Sequence, residues 1–177
     1  MLNSEDPPGF EQLVLPHLDA AFNLAVWLLR SRTDAEDVVQ QALLRSYRFF
    51  PTFHGRDARP WLLQIVRNGC YTWLRKNRPV ECLSEFDEDL HSTVNPTPEA
   101  LASAGEDRER LARDLESLPP RSRELIVLRE LEGCSYKEIA TILSIPMGTV
   151  MSSLSRARRQ LQLALVKPVK GEAAREL

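Results

Sequence analysis

SYKEIATILSIPMGTVMSSLSRARRQL, from Ser135 to Leu161, sets its apolar residues in two helical registers separated by a proline turn. Ile139, Ala140 and Leu143 recur at three- and four-residue spacing, the period of a helix with one buried face. Ser135-Tyr136-Lys137-Glu138 puts a hydroxyl and a carboxylate where a capping box satisfies the free donors of a helix start. After the turn at Ser144-Ile145-Pro146, a longer helix from Met147 to Val166 turns Val150, Leu154, Ala157, Leu161 and Leu165 inward. Two such helices joined by a tight turn form a helix-turn-helix, whose second helix fits the major groove of DNA. Gly148, Thr149, Ser152 and Ser155 keep that helix's leading face small, and Arg156, Arg158 and Arg159 offer cations to phosphates or guanine edges. The same pattern is compatible with a helical hairpin in a core beneath a solvated arginine face.

Working outward, Arg121 to Leu131 reads as a helix stopped at Gly133. Before it, Thr97-Pro98-Glu99 opens a helix carried by Leu101, Leu111, Leu115 and Leu118 to a stop at Pro119-Pro120. From Pro79 to Asn95 there is no helical period but several acids, with prolines at 79, 96 and 98, the composition of a linker. The N-terminal part is again helical. Leu13, Val14, Leu18, Ala21, Phe22, Ala25, Leu28 and Leu29 form one stripe, with Pro16 placed to kink or restart it. Thr33-Asp34-Ala35-Glu36 reads as a capping box opening a helix from Asp34 to Phe50. A polar loop from Pro51 to Arg59 leads to Pro60 as the first residue of a third helix, to Asn77, striped by Leu62, Ile65, Val66 and Trp73. Its other face mixes Trp61, Gln64, Asn68 and Tyr71 with Arg75 and Lys76. No stretch alternates with period two. The expectation is an all-α chain of two small helical domains, residues 1–78 and 98–177, joined by a flexible acidic linker at 79–97, the second domain containing the helix-turn-helix.

The net charge of −2 does not suggest a nucleic-acid binder, but it averages over a pattern. Residues 1–78 carry 10 Lys/Arg against 8 Asp/Glu, residues 79–107 none against 8, and residues 108–177 carry 13 against 9. Two mildly basic ends thus flank an acidic middle. Apolar stretches such as Leu24–Leu29 fall short of a membrane span of roughly 20 residues, and the acidic start lacks a signal peptide's basic region, which predicts a cytoplasmic protein. Cys70, Cys82 and Cys134 form no CxxC pair and the histidines are dispersed, so no metal or other cofactor is expected. With no catalytic triad and no phosphate-cradling glycine loop, an enzyme is the weakest reading.

The Ser135–Leu161 segment, with its GTV start and RAR run, resembles region 4 of bacterial sigma factors of the extracytoplasmic-function (ECF) type. LPPRSRELIVLRELEG is similar to the helix leading into that region, and DAEDVVQQALLRSYRFFPTFHGRDARPWLLQIVRNGCYTWLRKNRP resembles sigma region 2. The resemblance implies a non-catalytic factor that directs core RNA polymerase to promoter DNA, with an anti-sigma factor as regulatory partner and no membrane insertion or small-molecule substrate. It implies core-polymerase contacts at Asp37, Gln40 and Gln41, the last replacing an acid common in the family. It implies minus-10 contacts at Phe53, His54, Arg56, Arg59, Trp61, Arg67, Asn68, Tyr71 and Arg75, with Thr72 where many members have aspartate. Aromatics beside guanidinium groups suit that task, offering unpaired bases a stacking surface and their phosphates a counter-charge; Trp73 and Trp61 are equally readable as core. Minus-35 contacts are implied at Thr149, Met151, Ser152, Ser153, Ser155, Arg156 and Arg159, Ser153 standing where arginine is common. The acidic linker resembles the family's connector and is also what a solvated spacer looks like. An ordinary helix-turn-helix regulator, its first half sensing a ligand or dimerising, is the rival reading.

Overall fold

Pro16 has no N–H to donate and a fixed φ, so it cannot continue a helix but can begin one. It lies in a short 3-10 segment, Leu15–His17, separating α1 (Phe10–Val14) from α2 (Leu18–Leu29). The computed structural model describes residues 9–77 and 106–166. The expected linker at 79–97, the helix start at Thr97-Pro98-Glu99 and Leu101 lie outside the described residues.

α3 runs from Arg32 to Phe49. Its cap is Ser31 rather than Thr33: Ser31 has extended backbone, and its hydroxyl accepts the Asp34 N–H at 3.3 Å, so Thr33 already lies inside the first turn. A similar correction applies to Pro60. The Asp57 carboxylate accepts the Arg59 N–H at 3.0 Å, and α4 spans Ala58–Asn77, starting two residues before the proline. Pro60 is tolerated there because first-turn N–H groups have no intrahelical acceptor. α2, α3 and α4 close around Leu24, Leu29, Leu62, Leu63, Val66 and Cys70, all buried. Gly69 lets α3 and α4 meet, since a Cβ there would sit 3.0 Å from Val38 Cγ1. By length and composition the run Phe10–Leu29 passes for a membrane span. Here Ala21, Leu24, Ala25 and Leu29 are core residues of a helix packed on α3 and α4.

The second helical region comprises α5 (Glu106–Ser117), α6 (Pro120–Ile126) continuing through a π turn at Val127–Leu131, α7 (Tyr136–Leu143) and α8 (Met147–Val166). The chain reverses at Gly133 with φ +64°. The capping box forms as expected: the Ser135 hydroxyl accepts the Glu138 N–H at 3.2 Å, and the Glu138 carboxylate accepts the Ser135 N–H at 2.6 Å. Ser144 ends α7 in left-handed backbone, and Pro146 offers its carbonyl to the first N–H groups of α8. Val150, Leu154 and Ala157 are buried and Leu161 half-buried, but Leu165 is 38% exposed, so α8 outruns the core and its last turn does not face inward. Leu111 is likewise at the surface, whereas Leu115 and Leu118 are buried. Among the described residues all regular structure is helical. The two regions also touch: α4 lies against α7, and α2 against α6 and the π turn.

Replacing Ser135 by alanine removes the cap while leaving the α7 stripe intact. Stability of the second region should fall by about 0.5–2 kcal/mol, read as a lower urea midpoint with an unchanged slope.

Candidate nucleic-acid interface

α4 turns Trp61, Arg67, Asn68, Tyr71 and Arg75 away from its buried stripe, but not all to solvent. At its N-terminal end Phe53 stacks between Phe50 and Trp61, with ring centroids 6.2 and 4.7 Å away, so the loop aromatics form a half-buried cluster rather than a free stacking platform. Trp73 is half-buried too. His54 and Arg56 lie beside that cluster, exposed. Farther along, Asn68 and Arg75 are exposed, bracketing Thr72, whose hydroxyl donates to the Asn68 carbonyl at 2.8 Å and accepts from Arg75 at 3.3 Å.

Arg59, Arg67 and Tyr71 instead meet the second helical region. Glu124 of α6 is fully buried, and its carboxylate accepts from Arg67 Nε at 2.6 Å and from the Tyr71 hydroxyl at 3.2 Å. The Arg67 guanidinium also lies over the Tyr71 ring, 4.6 Å from its centroid. Burial pushes the Glu124 carboxyl above the usual carboxylate range, against the pull of Arg67 and Tyr71. It pushes the Tyr71 hydroxyl up as well, so the phenol is a neutral donor throughout the physiological range. Arg59 donates to the Glu132 carbonyl and to the Glu138 carboxylate, the latter at 3.4 Å. Between these pairs, Gln64 donates to the Thr141 carbonyl at 3.1 Å and the Ser144 hydroxyl at 2.8 Å.

α8 presents the smaller groove-sized face. Thr149, Met151, Ser152, Ser155, Arg156 and Arg159 are exposed, and Ser153 is half-buried, turned partly toward the core side. Arg158 donates from Nε and Nη2 to the one Glu130 oxygen Oε1, at 3.0 and 2.7 Å, so it braces α8 on the π turn. On α3, Asp37, Gln40 and Gln41 are exposed and share their strip with Leu44 and Tyr47, 71% and 66% exposed. The strip joins polar residues to an exposed apolar end, a mixture found in protein-binding patches.

The profile described as Sigma-70 region 2 matches residues 13–80, and that described as Sigma-70, region 4, matches residues 108–161. The chain is 33% identical over 162 residues to the ECF RNA polymerase sigma factor SigE of Mycolicibacterium smegmatis, covering 90% of this chain and 63% of that one. It is 36% identical over 137 residues to the ECF RNA polymerase sigma-E factor of Escherichia coli, covering 72% of each. This chain belongs to the ECF sigma factors. Its fold is also that of the sigma factor RpoE solved with the anti-sigma factor NepR from Bartonella quintana, with TM-score 0.68 and 30% identity over 88% of this chain and 96% of that one.

In this ECF sigma factor two residues of these surfaces, Leu44 and Glu124, are not among those the sequence singled out. Leu44 carries a readable signal, an apolar residue outside the α3 stripe. Glu124 carries none, sitting in an ordinary helical run. The thiols beside the contact are inert: burial lifts Cys70 to about 12 and Cys134 to about 11. At pH 8 both are thiols, and only a thiolate attacks a disulfide reagent. A Cys82→Ser chain should therefore react with Ellman's reagent at pH 8 only on unfolding in guanidinium.

Proposed function

We propose that this ECF sigma factor directs core RNA polymerase to promoters, with residues 1–78 binding core and the minus-10 element, 79–97 linking, and 98–177 reading minus-35. The observation that carries this is the order of the two sigma regions together with the surfaces they expose: the α3 strip, Asn68 and Arg75 on α4, and Arg156 and Arg159 on α8. Asp37, Gln40 and Gln41 share one exposed strip with Leu44, the surface offered to polymerase. Asn68 holds both a donor and an acceptor, which suits capture of a base after strand separation. Arg156 holds only donors, which suits phosphate or a guanine edge in closed duplex.

Two modest contacts tethered on one assembly gain avidity, so neither region needs the large positive patch of a solitary binder, in keeping with a net charge of −2. The factor performs no catalysis and uses no cofactor; it acts in the cytoplasm, where polymerase and promoter are. That the Bartonella quintana relative is held by an anti-sigma factor supports the same kind of partner here.

Asp37→Arg reverses charge on the polymerase face and leaves the α3 core stripe untouched. Affinity for core should fall about tenfold or more, roughly 1.4 kcal/mol, in a pull-down titration; an unchanged affinity in the folded variant removes α3 from the interface. The two DNA surfaces separate by stage. Asn68→Ala holoenzyme should bind promoter duplex yet lose permanganate reactivity of thymines near minus-10, while Arg156→Ala should weaken the closed complex by about 1–3 kcal/mol. Tight sequence-specific binding by the free protein would instead mark an ordinary helix-turn-helix regulator.

A further inference from the structure

The residues assigned to promoter DNA on α4 are of two kinds, and the division follows the contact between the regions. Asn68 and Arg75 face solvent, as do His54 and Arg56 in the loop before α4, whereas Arg59, Arg67 and Tyr71 spend their donors on the other region. What those donors meet resembles what a nucleic-acid strand would offer them. Glu124 presents two anionic oxygens to a guanidinium and a phenol at 2.6 and 3.2 Å, the geometry in which arginine and tyrosine grip a phosphate. The Glu138 carboxylate and Glu132 carbonyl do likewise for Arg59.

Around that pair the contact combines apolar packing, since the buried residues of both regions form one cluster, with further hydrogen bonds. Gln64 bonds to Thr141 and Ser144, the Arg30 guanidinium donates to the Glu116 carbonyl, and Arg123 donates to the Trp27 carbonyl at 3.4 Å. These hydrogen-bonding groups can be re-satisfied by water or phosphate when the regions part. Glu124 differs because its carboxylate has no solvent exposure, and an unpaired buried charge is costly.

We propose that Glu124 is an intramolecular phosphate mimic: in the free chain it latches α6 and α7 onto α4 and occupies the anion site that promoter DNA takes after the regions separate. This rests on the reading of α4 as the minus-10 surface. The free chain is then self-masked, and its apparent affinity for a single strand is its intrinsic affinity reduced by the fraction of open molecules. Asn68 and Arg75 remain outside the mask, so a strand can make first contact before the latch yields.

The test uses the full chain in a Cys82→Ser background, with dyes on Arg45→Cys in α3 and Gln160→Cys in α8, both exposed. Glu124→Ala should lower energy transfer between the dyes and tighten binding of a short, fluorescein-labelled single-stranded DNA of random sequence by about tenfold, the gain expected from opening a mostly closed population. Glu124→Gln keeps the volume and loses the charge, and should move both readouts in the same direction. Gln64→Ala, on the exposed edge of the contact, leaves the buried residues in place and should open the chain in part. Unchanged transfer in all three folded variants overturns the latch. Lower transfer with unchanged DNA affinity overturns the mimicry. If Asn68→Ala and Arg75→Ala holoenzymes open promoters normally, the minus-10 reading fails and the mimicry falls with it, even where the dyes report opening.

Discussion

Glu124 is a carboxylate with no exposure to water, and it is tolerable there because Arg67 and Tyr71, from the other helical region, supply the charge and hydrogen bonds that solvent would have given. Removing one member of such a buried pair typically costs about 3–5 kcal/mol, more than most surface contacts combined. The bonds of Gln64 lie nearer the surface, whereas Arg123, which donates to the Trp27 carbonyl, is itself buried. The Arg67–Glu124 pair therefore fixes how the two regions meet, within a contact where Leu24 and Leu63 of one region and Leu128 and Ile139 of the other belong to one buried apolar cluster.

That division assigns different work to the faces of α4. Leu62, Val66, Cys70 and Leu74 hold it to α2 and α3 and are indifferent to what region 4 does. Arg59, Gln64, Arg67 and Tyr71 project to the other side and accept whichever anionic or carbonyl-rich surface is present. Arginine suits such double use, since its planar fork grips a carboxylate and a phosphate in the same way. α3 and α8 are simpler: Asp37, Gln40, Gln41 and Leu44, and Thr149, Ser152, Arg156 and Arg159, remain exposed alongside the closed contact.

The sequence is most legible where local chemistry alone decides the structure. α7 and α8 begin and end where Ser135, Glu138, Ser144 and Pro146 say they should, because caps and prolines act within one turn. Thr33 misled because two hydroxyl residues two positions apart compete for one cap, and only the backbone angles of Ser31 settle it. Leu165 misled because periodicity continues past the point where there is a partner to pack against. The candidate DNA residues were readable as chemical types, aromatics beside arginines, and the structure adds which of them are engaged elsewhere. Glu124 was beyond reach. Its partners lie 57 and 53 residues away, and a glutamate in a mid-helix run looks like one more solvated charge until tertiary packing buries it.

On the reading proposed above, one face of α4 holds region 4 in the free factor and promoter DNA in the open complex. A photo-crosslinking amino acid at Tyr71 reads this directly. In the free chain it should crosslink to α6, and in holoenzyme on an opened promoter that product should give way to a crosslink with the DNA strand near minus-10. A crosslink to α6 that persists undiminished in the open complex would contradict the account.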